Sequence, residues 1–174
     1  NTQDDQTIYF YSYYAYMSWN FNASAIRAVP RCVNSALYDK ISNTDIRKQW
    51  WDPTGKAEVP ASNFKRFPYQ NRKFTAKSSS NAVGDFPFMR LAELYLMKAE
   101  ALARNNQLQE AQKTLTAFAL TRDPEYKETS KTAVELAEEI MIQRRIELWG
   151  EGFRFTDLKR LNLPLDRNNT NHDK

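Results

Sequence analysis

The chain has 174 residues, 41% of them apolar and 13% aromatic, with a net charge of +4, which suits one domain with a sizeable core. Its four glycines leave little material for a glycine-rich phosphate cradle, and no run approaches the ~20 apolar residues of a membrane-spanning helix. The lone Cys32 excludes an internal disulfide and gives no compartment by itself.

Residues 1–60 read as irregular. They hold 11 of the 23 aromatics, beginning with YFYSYYAYMSW, and mix Tyr, Asn, Ser and Pro without a sustained helical or strand period. Asn43 or Thr44 is suited to cap a short turn of helix around DIRKQWW, which Pro53 and Gly55 then end. Residues 61–88 read as one or two short strands and a loop. The charge excess sits here, because Lys65, Arg66, Arg72, Lys73 and Lys77 face only Asp85. These cations alternate with Phe64, Phe67, Tyr69 and Phe74. That mixture fits a half-buried hairpin and also a single-stranded nucleic-acid surface.

From Met89 the pattern turns helical. Leu91, Leu94, Tyr95, Ala99 and Leu102 follow a three-to-four spacing, and Glu100 with Arg104 makes an i,i+4 pair. Asn105 and Asn106 suit the C-terminal turn. A second helix over about 108–120 buries Leu108, Ala111, Leu115 and Phe118. Small Ala99 and Ala111 beside Leu115 is what a tetratricopeptide-type helical hairpin needs where its helices cross closely. A third helix opens on a capping box, Thr132 with Glu135, and turns Leu136, Ala137, Ile140, Met141 and Leu148 inward. One hairpin cannot bury its own face, so this helix supplies a surface for it. The tail DRNNTNHDK is polar and expected to fray.

The densest stretch is Gln143 to Leu161, QRRIELWGEGFRFTDLKRL. Arg144 and Glu147 lie three apart, Glu151 and Arg154 repeat the spacing, and Gly150 and Gly152 fit a tight corner between two helices. The four charged residues read as a structural ion-pair corner, with a binding role as the competing reading.

The run FPFMRLAELYLMKAEALAR followed by IMIQRRIELWGEGFRFTDLKRL closely resembles the C-terminal region of SusD/RagB-family outer-membrane glycan-binding lipoproteins. The R-L-A-E-x-Y-L-x-x-A-E-A helix of that family is matched from Arg90 to Ala101. Its later motif is matched at Arg144, Arg145, Glu147, Leu148, Glu151, Gly152, Arg154, Asp157, Leu158 and Arg160, with Gln143 where the family usually has Glu. DIRKQWW and NRKF are looser landmarks. The likeness is strong over residues 86–161 and extends from about residue 35.

The resemblance implies a mainly α fold, in which a tetratricopeptide-like hairpin and a C-terminal helix-corner-helix are wrapped by long loops and a few short strands. The expected layout is one domain over 1–174: a loop-rich variable segment at 1–88, a helical core at 89–161 and a polar tail at 162–174. Family members are longer and begin with a lipidated Cys. The chain is therefore expected to be the C-terminal part of a larger protein, with exposed apolar surface where the remainder would pack.

The resemblance also implies non-catalytic capture of oligo- or polysaccharides at the cell surface. Delivery would be to a SusC-like TonB-dependent transporter, from an outer-membrane lipid anchor outside this chain. The residues agree in lacking catalytic parts. The only histidine, His172, lies in the tail, so a Ser-His or Cys-His dyad or a multi-His metal site is unavailable in its usual form, and no cofactor, metal or nucleic-acid partner is expected. Gly150-x-Gly152 lacks the rest of a dinucleotide fingerprint, and a glycosidase pair from distant carboxylates stays open. The alternative is a helical-repeat protein-interaction module with no sugar site.

Sugar sites need aromatic platforms with polar groups at their edges. Tyr9, Tyr11, Tyr13, Tyr14 and Trp19 near Asn20 and Asn22, and Trp50 and Trp51 after Arg47 and Lys48, offer that mixture. If YFYSYY is extended, Tyr9, Tyr11 and Tyr13 cannot share a face with Phe10 and Tyr14. The platform chosen from these is Tyr13 with Trp50 or Trp51. The competing reading is that such aromatics anchor loops on a helical core.

Overall fold

The computed structural model describes residues 13–82, 88–130 and 132–165. Tyr9, Phe10, Tyr11, Asp85, His172 and the tail lie outside them. The chain forms two compact units, one from residues 1–35 and 49–88 and the other from residues 36–48 and 89–174. Secondary structure is mainly helical, and no helix is long and apolar enough to cross a membrane.

The helical unit contains α4 (Leu91–Arg104), α5 (Leu108–Ala119), α6 (Ala133–Glu147) and α7 (Phe153–Arg160), where α1–α3 are the short helices described below. Helices α4 and α5 form the expected hairpin, and α6 packs against α4. Its core gathers Ala92, Leu96, Ala99 and Ala103 from α4, Ala111, Leu115 and Phe118 from α5, and Leu136 and Ile140 from α6. The inward face of α4 differs from the one the spacing suggested. Leu91 is 68% exposed and Leu94 and Tyr95 also face out. Both stripes have helical period, and the alanine-rich one turns inward because close helix crossing requires small side chains.

Local signals set the ends of these helices. Asn106, at φ 58°, reverses the chain after α4. Thr132 Oγ1 accepts from the Glu135 amide at 3.2 Å while Glu135 Oε2 accepts from the Thr132 amide at 3.0 Å, the reciprocal cap read from the sequence. The corner between α6 and α7 passes through Gly150 at φ 79° and Gly152 at φ 89°. A Cβ at Gly152 would meet nothing within 4 Å, so the backbone angle, and not lack of space, favours glycine there.

The other unit is built from turns, α1 (Tyr13–Met17), α2 (Ser24–Ala28) and a two-stranded antiparallel sheet of β1 (Trp51–Asp52) and β2 (Gln70–Asn71). Helix α3 (Ser35–Tyr38) spans the boundary in sequence, as does the 3-10 helix Ile46–Trp50. The Tyr13–Met17 segment is helical, so strand alternation does not place Tyr13 and Tyr14, and the rest of YFYSYY lies outside the described residues. Residues 61–82 contribute one two-residue strand, because Tyr69 takes φ 64° and breaks the extended run. The segment is held from two sides: the Val33 amide donates to the Tyr69 carbonyl at 3.0 Å, and the Arg72 amide to the Trp50 carbonyl at 2.6 Å. Ala15, Phe21, Ala76 and Ala82 close a small core, with Tyr14 and Ala23 packed against it.

Candidate functional site

The ion-pair corner exists, with partners other than those the spacing suggested. Glu147 has a fully buried side chain and meets three arginines from three other segments. Arg122, beyond α5, donates to both carboxylate oxygens at 3.1 Å. Arg90, at the head of α4, reaches Oε1 and also binds Glu151. Arg47, from the 3-10 helix, approaches Oε2 at 3.4 Å. Burial alone would push the Glu147 carboxyl up, but Arg122, Arg90 and Arg47 together hold it below its ordinary value.

Arg144 turns instead to Asp157, at 3.0 and 3.2 Å, and to Glu93 at 3.4 Å, with its guanidinium over the Phe153 ring. Arg160 continues the chain of charges from Asp157 to both oxygens of Glu100. The expected pairing of Arg144 with Glu147 is therefore replaced by tertiary contacts, since both side chains are buried against different neighbours. Arg154 drops out of the corner: it is exposed and makes no ion pair among the described residues. Gln143, where the family motif has Glu, accepts from Arg47 and donates to Glu139 at 3.0 Å, keeping the expected hydrogen-bonding role.

Arg47 and Lys48 do not flank a platform. Arg47 is wholly buried, held by Asp45, Gln143 and Glu147, and Lys48 binds the Ile41 carbonyl at 2.7 Å. Asp45, in place of Asn43 or Thr44, caps the 3-10 helix by accepting from the Arg47 amide at 2.8 Å. The arginines at helix ends, Arg90 and Arg122, were the missed members of the network. Their sequence signal was weak, a basic residue just outside each helix.

In the turn-rich unit the structure separates the three proposed platform residues. Trp51 is 3% exposed, so it offers no face to a ligand and leaves the platform. Trp51 opens β1, both of whose residues are buried, whereas Trp50 ends the 3-10 helix and is half-buried. Tyr13 and Trp50 are both half-buried and are linked through two consecutive residues. The Tyr13 ring packs edge-on to Phe74, centroids 5.1 Å apart, and Lys73 Nζ lies 5.1 Å from the Phe74 ring and 4.9 Å from the Trp50 ring. Arg72 stacks on Trp19, with Cζ 3.9 Å from the ring centre, and Trp19 Nε1 donates to Thr75 Oγ1 at 3.0 Å.

The loop beside this cluster is fixed by Asp52, which accepts from the Thr54 amide and hydroxyl and from the Ala57 amide. Burial would raise the Asp52 carboxyl, and these donors together with Arg72 hold it low. Gly55 lies in that loop at φ 65°, and a Cβ there would come within 2.8 Å of the Phe67 and Pro68 backbone.

The helical unit carries a groove of about 790 Å³, lined by apolar residues of α6 such as Val134, Ala137 and Met141, with Arg104, Arg145 and Arg154 at its edges. Burial and the neighbouring Arg154 push the Arg145 guanidinium down from its ordinary value. No group of three His, Cys, Asp or Glu side chains among the described residues is placed to hold a metal ion.

No curated protein matches the chain. A SusD-like carbohydrate binding protein from Bacteroides vulgatus shares its fold, with a TM-score of 0.73 and 28% sequence identity over 94% of this chain. This chain spans 33% of that protein's length. The SusD family model matches residues 1–174, and the chain belongs to the SusD family.

Proposed function

We propose that the chain acts as part of a surface-exposed, outer-membrane SusD-like lipoprotein that binds glycans without cleaving them and passes them to a SusC-like TonB-dependent transporter. Likeness to a carbohydrate binding protein supports the ligand class, and the observation that carries it to particular residues is the Tyr13–Phe74–Lys73–Trp50 cluster. Sugars present flat C–H faces ringed by hydroxyls, and a half-buried indole beside a donor meets both. Affinity electrophoresis of the chain through gels containing single polysaccharides tests the reading. Retardation by at least one glycan is the expected result, and unchanged mobility across a broad panel contradicts it.

A second reading, a protein-interaction module, draws on a specific feature of the helical unit. Met89 ahead of α4, and Leu91, Leu94, Tyr95 and Met97 on it, leave an exposed apolar row. A glycan-silent chain that self-associates or binds a transporter through this row would favour that module.

A further inference from the structure

We infer that the groove on α6 binds a small amphipathic carboxylate, an apolar chain or ring system that ends in one anionic group. The site lies wholly in the helical unit and does not rest on the glycan reading. Its floor is apolar: Val134, Ala137 and Met141 fall three and four positions apart along α6, so they share one face, and Leu163 joins them. Val134 remains 69% exposed and Leu163 47%. A volume of about 790 Å³ lies within the ~300–1,000 Å³ of small-molecule sites, which combine an apolar lining with a few convergent polar groups.

The convergent groups here are two guanidiniums. Arg145, about one helical turn beyond Met141, and Arg154, in the first turn of α7, both line the groove and are close enough for their charges to repel. Neither makes a hydrogen bond or ion pair among the described residues, whereas the other arginines of α4, α6 and α7, namely Arg104, Arg144 and Arg160, are all paired. Burial and the charge of Arg154 hold the Arg145 guanidinium below its ordinary value, and a carboxylate between the two would oppose that shift. The two oxygens of a carboxylate can accept from both guanidiniums at once. Lys40 adds a further positive charge to the lining. Glu138, the acidic residue of the lining, sits about 10 Å from Arg145 along the helix axis and makes no ion pair with it. Asp166 and Asp173 follow Leu163 in the sequence, outside the described residues, and are rival anions for the arginine pair.

Titration calorimetry on the whole chain tests the site with four probes. Decanoate is compared with acetate, which has the charge without the apolar body, with decyltrimethylammonium, which has the body and the opposite charge, and with an uncharged decyl oligoethylene ether. Expected is one saturable site for decanoate, about tenfold tighter than for any of the other three. Arg145→Gln and Arg154→Gln should each weaken decanoate binding about fivefold. Val134→Glu, at an exposed position, should do the same by placing a negative charge on the floor. Lys98→Met, on the exposed side of α4, should leave it unchanged. Melting temperatures of the variants separate lost binding from lost folding.

No decanoate binding overturns the inference, and so does binding that both arginine variants retain. Equal affinity for decyltrimethylammonium or the ether overturns it by reducing the groove to a general detergent surface. Decanoate binding that appears only in the Asp166→Asn, Asp173→Asn double variant assigns the arginines to acids of this chain and overturns it likewise. A dimer seen by sedimentation and dissolved by Val134→Glu assigns the groove to a second copy, with the same consequence. None of these results bears on retardation by polysaccharides, so the carboxylate site and the glycan reading fail separately.

Discussion

Glu147→Gln isolates what the buried charge contributes, because it removes the charge while preserving the shape. In the native chain the carboxylate is the common acceptor for Arg47, Arg90 and Arg122, and its side chain is 0% exposed. Removing one partner from such a cluster leaves guanidinium groups desolvated and facing one another, at a cost of about 3–5 kcal/mol. For a chain of this size that lowers the melting temperature by roughly 6–20 °C. The amide retains one acceptor, so the lower half of the range is expected for Gln and the upper half for Ala. Circular dichroism during heating provides the assay. A Glu147→Gln protein melting within about 1 °C of the parent would refute the view that this carboxylate holds the segments together.

Acid should weaken the same cluster. The folded-state pKa values of Glu147 and Glu100 lie below their ordinary value of 4.5, so their contribution is present above that pH and is lost as the pH falls through the depressed folded values. Denaturant midpoints should fall below pH 4.5, and Glu147→Gln should show a shallower fall; equal slopes would remove Glu147 from the effect. Gly55→Ala should destabilise by about 1–3 kcal/mol, since it imposes both a positive φ and a backbone clash, and an unchanged midpoint would contradict that. Thr132→Ala should lower stability by about 1 kcal/mol through loss of the capping box, read from the same denaturant curves, with no loss expected if the cap is dispensable.

The parts of the fold that were legible in the sequence are those set by local chemistry. The α6 cap, the glycine corner, Asn106 and the inward face of α5 each depend on residues within about one helical turn of each other. The inward face of α4 was not legible, because Ala92, Leu96, Ala99 and Ala103 form a stripe as regular as that of the larger apolar residues. Only the close packing of α5 decides between them. The charged corner was half legible. Residue type marked Arg144, Glu147 and Glu151 as a cluster, but spacing within one helix could not show that Glu147 would recruit Arg47 from 100 positions upstream.

At the candidate site the choice of aromatics was visible, and their burial was not. Trp50 and Trp51 are equivalent by composition, but the 3-10 helix ends on Trp50 and leaves it half-buried, while Trp51 enters β1 and is buried. By sequence pattern Lys73 and Phe74 fit a hairpin or a nucleic-acid surface. Pairing of β2 with β1 brings them beside Trp50, a long-range contact that no local pattern encodes.

Glycan binding through Trp50 is tested most directly by titrating the retained glycan into the parent chain and into Trp50→Ala, with calorimetry for affinity and tryptophan fluorescence for the site. The expected result is a fluorescence change on binding to the parent chain, an affinity loss of at least tenfold in the variant, about 1.4 kcal/mol, and an unchanged melting temperature. Trp50→Ala binding the same glycan with parental affinity would contradict the placement of the site.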